Sequence, residues 1–163
     1  MSFAAPPPPG QYGAPGLPPA GDPGTLDLPY YGIGFMDAVK RALKKYARFD
    51  GRASRSEYWW WVLAVAIVEA VLTVLAVIFA VVGASDNGIG AGAWPFLILL
   101  GLVYLAVIVP GIAISVRRLH DVNMSGLLYL LVLTSIGGIV ILILTLMPSN
   151  PQGARYDPVQ PRV

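Results

Sequence analysis

The sequence predicts an all-α fold: a polytopic membrane protein with three transmembrane helices plus an N-terminal interfacial amphipathic helix. Three long apolar runs carry this prediction, because about 20 helical residues cross a hydrocarbon core. Charge is also scarce. Charged residues make up 12% of the chain, whereas soluble domains carry about 25%. A mean hydropathy of +0.66 agrees with this and indicates that much of the surface faces lipid.

Residues 1–34 differ in composition from the rest of the chain. They hold nine of the fifteen prolines and too few apolar side chains to offset the entropy cost of ordering the segment. We expect a disordered cytoplasmic tail, partly in the polyproline-II conformation. A proline-rich ligand for a partner domain is the alternative.

Residues 35–49 show a helical period. Apolar and basic side chains separate onto two faces at i, i+3, i+4 and i+7 spacing, which predicts a helix lying in the headgroup plane of a membrane. The apolar face holds Phe35, Met36, Val39, Ala42, Leu43, Tyr46 and Phe49, and the basic face holds Lys40, Arg41, Lys44, Lys45 and Arg48.

The three apolar runs define the predicted spans, residues 59–82, 94–116 and 127–147, followed by a short tail, 148–163. Nine of the eleven Lys and Arg residues precede the first run or lie between the second and third. The positive-inside rule therefore predicts a cytoplasmic N-terminus and a C-terminus outside. Gly137–Gly138 interrupts the third run, so a re-entrant hairpin that returns the tail to the cytoplasm is the alternative.

Two motifs at the ends of these runs resemble one known family. The stretch "FDGRASRSEYWWW" enters the first run, and "RRLHDVNMSG" precedes the third. Together they are similar to the small bacterial inner-membrane proteins of the domain of unknown function 805 family. The tail "SNPQGARYDPV" resembles the end of that family's pattern. The resemblance covers residues 35–158 and implies a bacterial cytoplasmic-membrane location, but no established activity.

The two motifs place opposite charges at one membrane boundary. Arg117 and Arg118 lie four and three residues before Asp121, within pairing reach on a helix, and Glu57 is expected to meet an arginine of the other motif. An ion network that clamps the spans is one interpretation, and a phosphate site is the other. The residues concerned are Arg52, Arg55, Glu57, Arg117, Arg118, His120 and Asp121.

His120 is the only histidine, and it raises the question of catalysis. Adjacent helical residues point about 100° apart, so His120 and Asp121 cannot orient each other as a dyad there. Ser125 is expected to cap the next helix instead of serving as a nucleophile. With no cysteine and one histidine, the sequence predicts no catalytic residues, no metal site and no cofactor.

Glu69 lies ten residues into the first run, where a charge is costly and must be protonated or paired. Tyr104, Thr134 and Ser135 fall at comparable depth, so a hydrogen-bonded packing cluster is expected. A proton or ion relay is the alternative. It would make the chain an oligomeric transporter or channel subunit.

The function expected from these observations is non-enzymatic. The arginine-rich cytoplasmic face of an accessory or interaction protein would bind anionic lipid headgroups or a protein partner, possible partners including a second copy of the chain. The basic residues cluster beside apolar runs, which argues against nucleic-acid binding.

Overall fold

The computed structural model describes residues 26–84 and 88–158, where the regular elements are helices. Residues 1–25 of the predicted disordered tail lie outside the described residues. The α-helices are α1 (Phe35–Lys44), α2 (Arg55–Val82), α3 (Trp94–Asp121) and α4 (Gly137–Leu146). Three 3-10 helices cover Ala91–Ala93, Gly126–Leu133 and Pro151–Tyr156.

Helices α2 and α3 form an antiparallel pair. At one end the rings of Phe79 and Phe96 stack with centroids 5.1 Å apart. At the other end the amide of Ala53 donates to the carbonyl of Arg117 at 3.0 Å. Each helix has 28 residues, about 42 Å of length, which is enough to cross a membrane. Their most apolar stretches are only 11% and 17% buried, and exposed apolar surface of this extent marks a membrane or protein contact.

A capping box starts α2 inside the first motif. The amide of Glu57 donates to Ser54 Oγ at 3.2 Å, and the amide of Ser54 donates to Glu57 Oε2 at 2.8 Å. Reciprocal bonds of this kind satisfy two amides that a helix start leaves unpaired. The cap holds the Glu57 carboxylate at the base of α2, where the second motif also lies.

Pro110 lies buried inside α3 and fixes the position of Tyr46. A proline has no N–H, so the carbonyl four residues earlier loses its helical partner. That carbonyl belongs to Ala106, and the hydroxyl of Tyr46 donates to it at 2.6 Å. The bond ties the segment after α1 to the side of α3.

The third apolar run does not form one helix. It divides into the 3-10 helix Gly126–Leu133 and the helix α4, with a turn over 134–136 between them. Gly137 closes this turn by donating its amide to the carbonyl of Thr134 at 3.1 Å. A Cβ on Gly137 would lie 1.5 Å from the carbonyl oxygen of Leu131, so only glycine permits this approach.

Both ends of this run lie beside the C-terminal end of α3. Arg118 Nε donates to the carbonyl of Thr145 at 3.1 Å, and the amide of Asn150 donates to the carbonyl of Asp121 at 2.8 Å. The run therefore leaves this end of α3 and returns to it. Three spans are not confirmed, because two helices in the described part of the chain are long and apolar enough to cross a membrane. Residues 148–158 lie at the same end as the arginines, and the predicted orientation of the C-terminus is not confirmed.

The structure also corrects the N-terminal elements. Helix α1 is shorter than the predicted 35–49, since Lys45 is already its C-cap. Residues 26–34 of the predicted tail pack onto the helices: Ile33 is 3% exposed, and its carbonyl accepts from Trp60 Nε1 at 3.0 Å. Disorder stays a prediction for residues 1–25, which lie outside the described part of the chain.

The two faces of α1 differ from the prediction. Met36 and Leu43 of the apolar face are exposed, whereas Arg41 and Lys45 are 4% and 2% exposed. These two cations are four residues apart and therefore share one stripe of the helix. That stripe points into the protein, as does Ala42 of the predicted apolar face, whereas Met36 and Leu43 point outward, where a membrane would cover them.

Candidate functional site

Four charged side chains at the base of α2 and α3 form a neutral network. Arg118 pairs with Asp121 one turn later, as the spacing predicted. Arg52 pairs with Asp157, its Nη2 lying 2.6 Å from Oδ2, and its Nη1 lies 3.9 Å from Asp121 Oδ1. All four side chains are at most 8% exposed. Two cations face two anions, so the buried charge is balanced.

Two hydroxyl groups complete the hydrogen bonding of Asp121. Tyr31 donates to its Oδ1 at 2.8 Å, and Ser149 donates to its Oδ2 at 2.5 Å. Burial, with a contribution from the Asp121 carboxylate, raises the pKa of Tyr31 above its ordinary value. The phenol therefore stays protonated and acts as a donor. The network joins four separate parts of the chain.

Residues 148–158 contact the loop between α1 and α2. The amide of Gly51 donates to the carbonyl of Tyr156 at 2.9 Å, and the Tyr156 ring stacks on His120 at 4.0 Å between centroids. His120 Nδ1 lies 3.0 Å from the carbonyl of Gly51, so this nitrogen carries the proton. A Cβ on Gly153 would lie 2.4 Å from the carbonyl oxygen of His120. His120 thus holds backbone segments together.

A second charged group, which we call the cationic cluster, consists of Arg41, Lys45, Arg117 and Glu57. Glu57 accepts a hydrogen bond from Arg41 Nε and forms an ion pair with it. Arg117 is 1% exposed. Its Nε donates to the carbonyl of Ala113 at 3.2 Å, but its buried Nη2 has no hydrogen-bond partner among the described residues. Three basic side chains here share one carboxylate, so the cationic cluster carries surplus positive charge even when Lys45 is neutral.

Lys45 makes the stability of the protein pH-dependent. Burial is the largest cause that lowers the pKa of Lys45 from 10.5 to about 7; Arg41 and Arg117 lower it further, and Glu57 opposes them. Between these two pH values the unfolded chain holds a proton that the folded chain lacks. The free energy of unfolding therefore rises with pH over this range, by at most about 1.4 kcal/mol per pH unit.

Thermal unfolding of wild type and Lys45→Met, followed from about pH 7 upward, measures this effect. The wild-type Tm should rise relative to that of the variant as the pH increases. Parallel curves would show that Lys45 keeps its proton in the folded state.

The family model described as "Protein of unknown function (DUF805)" matches residues 46–158, more than half of the chain. The chain belongs to this family. Inner membrane protein YhaI of Escherichia coli K12 is 36% identical over 115 residues, covering 70% of this chain and 86% of YhaI. Inner membrane protein YhaH of the same strain is 32% identical over 124 residues, covering 76% and 95%. No solved structure matches.

These relatives and the exposed apolar helices support an inner-membrane location for this DUF805 protein. The matched region contains the whole neutral network except Tyr31. It contributes Glu57 and Arg117 to the cationic cluster, whereas Arg41 and Lys45 precede it. The cluster thus combines the DUF805 region with helix α1.

Most of the predicted motif residues belong to the neutral network or to the cationic cluster. Arg52, Arg118 and Asp121 belong to the neutral network. Glu57 pairs with Arg41 of α1, where the sequence suggested an arginine of the second motif. Arg55 is exposed and forms no ion pair among the described residues.

Two of the four residues of the predicted intramembrane cluster line one cavity, with no hydrogen bond between them in the described part of the chain. Glu69 and Tyr104 line the same cavity between α2 and α3, but Thr134 and Ser135 do not line it. Thr134 instead donates its hydroxyl to the carbonyl of Leu131 at 2.7 Å. Ser125 caps the 3-10 helix that follows, accepting from the amide of Leu127 at 3.3 Å, which confirms its expected role.

Several residues of these two groups were missed by the sequence analysis. Arg41 and Lys45 were assigned to the basic face of the interfacial helix, although their spacing of four could have indicated a common stripe. Tyr31, Ser149 and Asp157 carry no local signal of their role, since each acts through a contact with a distant segment. Within the described part of the chain, no group of His, Asp and Glu residues is suited to hold a metal ion.

Proposed function

We propose that this DUF805 protein is a non-enzymatic accessory protein whose cationic cluster binds the phosphate of an anionic lipid headgroup. The observation that carries the proposal is the buried, unpartnered Nη2 of Arg117 beside Arg41 and Lys45. An unsatisfied buried donor costs about 1–3 kcal/mol, and more when it is charged. A phosphate oxygen would accept from this donor and neutralise the surplus charge of the cluster.

The chemistry of the cationic cluster favours phosphate. Guanidinium groups offer paired donors that match phosphate oxygens, and a lysine adds a compact positive charge. The only carboxylate of the cluster, Glu57, is already occupied by Arg41 and by the cap of α2. This one carboxylate does not balance the positive charge of the whole cluster.

The surroundings of the cluster favour a lipid as the source of that phosphate. Helix α1 exposes Met36 and Leu43, and Tyr46 and Phe49 follow it with exposed fractions of 40% and 43%. A helix that exposes both apolar side chains and lysines, here Lys40 and Lys44, is typical of a segment at headgroup depth. A headgroup at this depth would lie beside the cationic cluster, whereas free phosphate would gain nothing from the apolar face.

The topology proposed with this function has two crossings and a re-entrant hairpin, with the base of α2 and the tail in the cytoplasm. The arms of the hairpin have eight and ten residues, so each reaches about 15 Å, half of a hydrocarbon core. The excess of Lys and Arg at this end supports the cytoplasmic assignment. Both motifs and residues 148–158 would then face the inner leaflet.

Removal of one buried cation should weaken lipid binding. We expect Lys45→Met and Arg117→Met each to reduce phosphatidylglycerol affinity about tenfold, because a charge-assisted hydrogen bond contributes about 1.5–3 kcal/mol. Native mass spectrometry of the full chain in neutral detergent would count retained phosphatidylglycerol, and Tm would report its stabilising effect. Both variants should unfold at a higher Tm than wild type without lipid, since cation repulsion is relieved.

Lys44→Met is the matched control, because Lys44 is exposed on the same helix and carries the same charge. It should bind phosphatidylglycerol like wild type. Equal affinities for Lys44→Met and Lys45→Met would contradict the proposed site. The same measurements with phosphatidylcholine and with inorganic phosphate distinguish the possible sources of the phosphate group. Stabilisation of the protein by inorganic phosphate alone would exclude a lipid ligand.

A further inference from the structure

A cavity of about 600 Å³ lies between α2, α3 and the first arm of the hairpin. Its size is within the range of about 300–1,000 Å³ that small-molecule sites occupy. The walls are apolar and aromatic, with Trp61, Tyr58, Tyr104 and Tyr129 among them. Among the described residues that line it, Glu69 is the only charged one. One acid in an apolar, aromatic cavity is the arrangement of a ligand site with a single polar anchor.

Glu69 has no protein partner in the described part of the chain, where no hydrogen bond or ion pair involves it. It lies near the middle of α2, about 20 Å from either end. The lysines and arginines that the structure describes lie outside the apolar stretches of α2 and α3. An acidic side chain at such depth is costly and marks a functional site by default.

We propose that this cavity binds a lipophilic organic cation, whose positive group pairs with Glu69 and whose apolar body contacts the aromatic walls. Charge complementarity selects this class of ligand, since an ionised Glu69 at this depth needs a cation as its partner. Aromatic faces attract cations further, because the ring quadrupole places negative charge on the face. Tyr104 is 60% exposed, so the cavity opens at the lipid-facing surface, and the ligand enters from the bilayer.

Other occupants satisfy the cavity less well. A lipid acyl chain would cover the apolar walls but leave the Glu69 carboxyl without a partner. A second copy of the chain, packed through the same face, would bring a second Glu69 carboxylate towards the first. Neither occupant supplies the positive charge. The cavity shares no lining residue with the cationic cluster, so this site is separate from the proposed phosphate site.

The test uses tetraphenylphosphonium as the probe. Equilibrium binding to the full chain in phosphatidylcholine nanodiscs should be saturable, at one probe per cavity, and should exceed binding to empty nanodiscs. Tetraphenylborate has the same shape and the opposite charge, so it should not bind. Glu69→Gln keeps the size of the side chain and removes its charge, and should weaken tetraphenylphosphonium binding about tenfold or more.

Two further variants separate binding from folding. Ala66→Phe fills the cavity without touching the charge and should also abolish binding, whereas Thr73→Ala, one turn beyond Glu69 and outside the cavity, should bind like wild type. The proposal is overturned if wild type binds no more probe than empty nanodiscs, or if Glu69→Gln binds as tightly. It is also overturned if cross-linking finds the cavity covered by a second copy and probe binding is absent.

Discussion

An Asp121→Asn variant is expected to lose about 3–5 kcal/mol of the free energy of unfolding, the cost of breaking a buried ion pair by removing one partner. Asp121 is 0% exposed and compensates Arg118 directly and Arg52 at 3.9 Å. After the substitution, two buried guanidinium groups would share the single carboxylate of Asp157. The loss should appear as a large fall in Tm in neutral detergent.

Asp50→Asn provides the control with the same chemical change. Asp50 is exposed and pairs with Arg48 at 3.1 Å, and exposed pairs contribute at most about 1 kcal/mol. Its Tm should therefore stay close to that of wild type. A double variant, Arg118→Met with Asp121→Leu, should recover part of the stability, since well-packed apolar residues often replace a buried pair without loss. Equal Tm values for Asp50→Asn and Asp121→Asn would refute the clamping role of the network.

The second large effect is expected at the turn of the hairpin. Gly137→Ala should destabilise the protein by about 1–3 kcal/mol or more, the usual cost of overpacking. The added Cβ would lie 1.5 Å from the carbonyl oxygen of Leu131, and a backbone atom cannot yield without opening the turn. Gly138→Ala is the neighbouring control, because its Cβ would meet nothing within 4 Å and alanine favours the helix.

Thermal unfolding of Gly137→Ala and Gly138→Ala measures the loss of stability.

Cysteine labelling reports on which side of the membrane the end of the third run lies. The sequence contains no cysteine, so a single cysteine at Gln152 can be labelled without background. In an otherwise wild-type chain it should label from the same side of the membrane as one at Arg55, and from the side opposite to one at Ile89. Labelling from the side of Ile89 would mean that the third run crosses once.

The two predicted effects differ in how far the sequence anticipated them. The pairing of Arg118 with Asp121 follows from a spacing of three residues, so sequence reasoning found it. The partner of Arg52 is Asp157, separated by 105 residues, and no local pattern reveals such a contact. The glycine pair was recognised as a possible break, but the close approach of Leu131 that makes Gly137 necessary depends on the folded turn.

The sequence by itself determined the features that arise within a few residues. Run length and hydropathy specified α2 and α3 as helices for a membrane, and the spacing of Arg118 and Asp121 specified their ion pair. Only the tertiary structure decided where segments distant in sequence meet. Arg41 and Lys45 lie beside Glu57 and Arg117, and the third run returns to the end of α3, only because of how the helices pack. Helical periodicity is encoded locally, whereas the choice among several possible ion partners depends on which segments packing brings together.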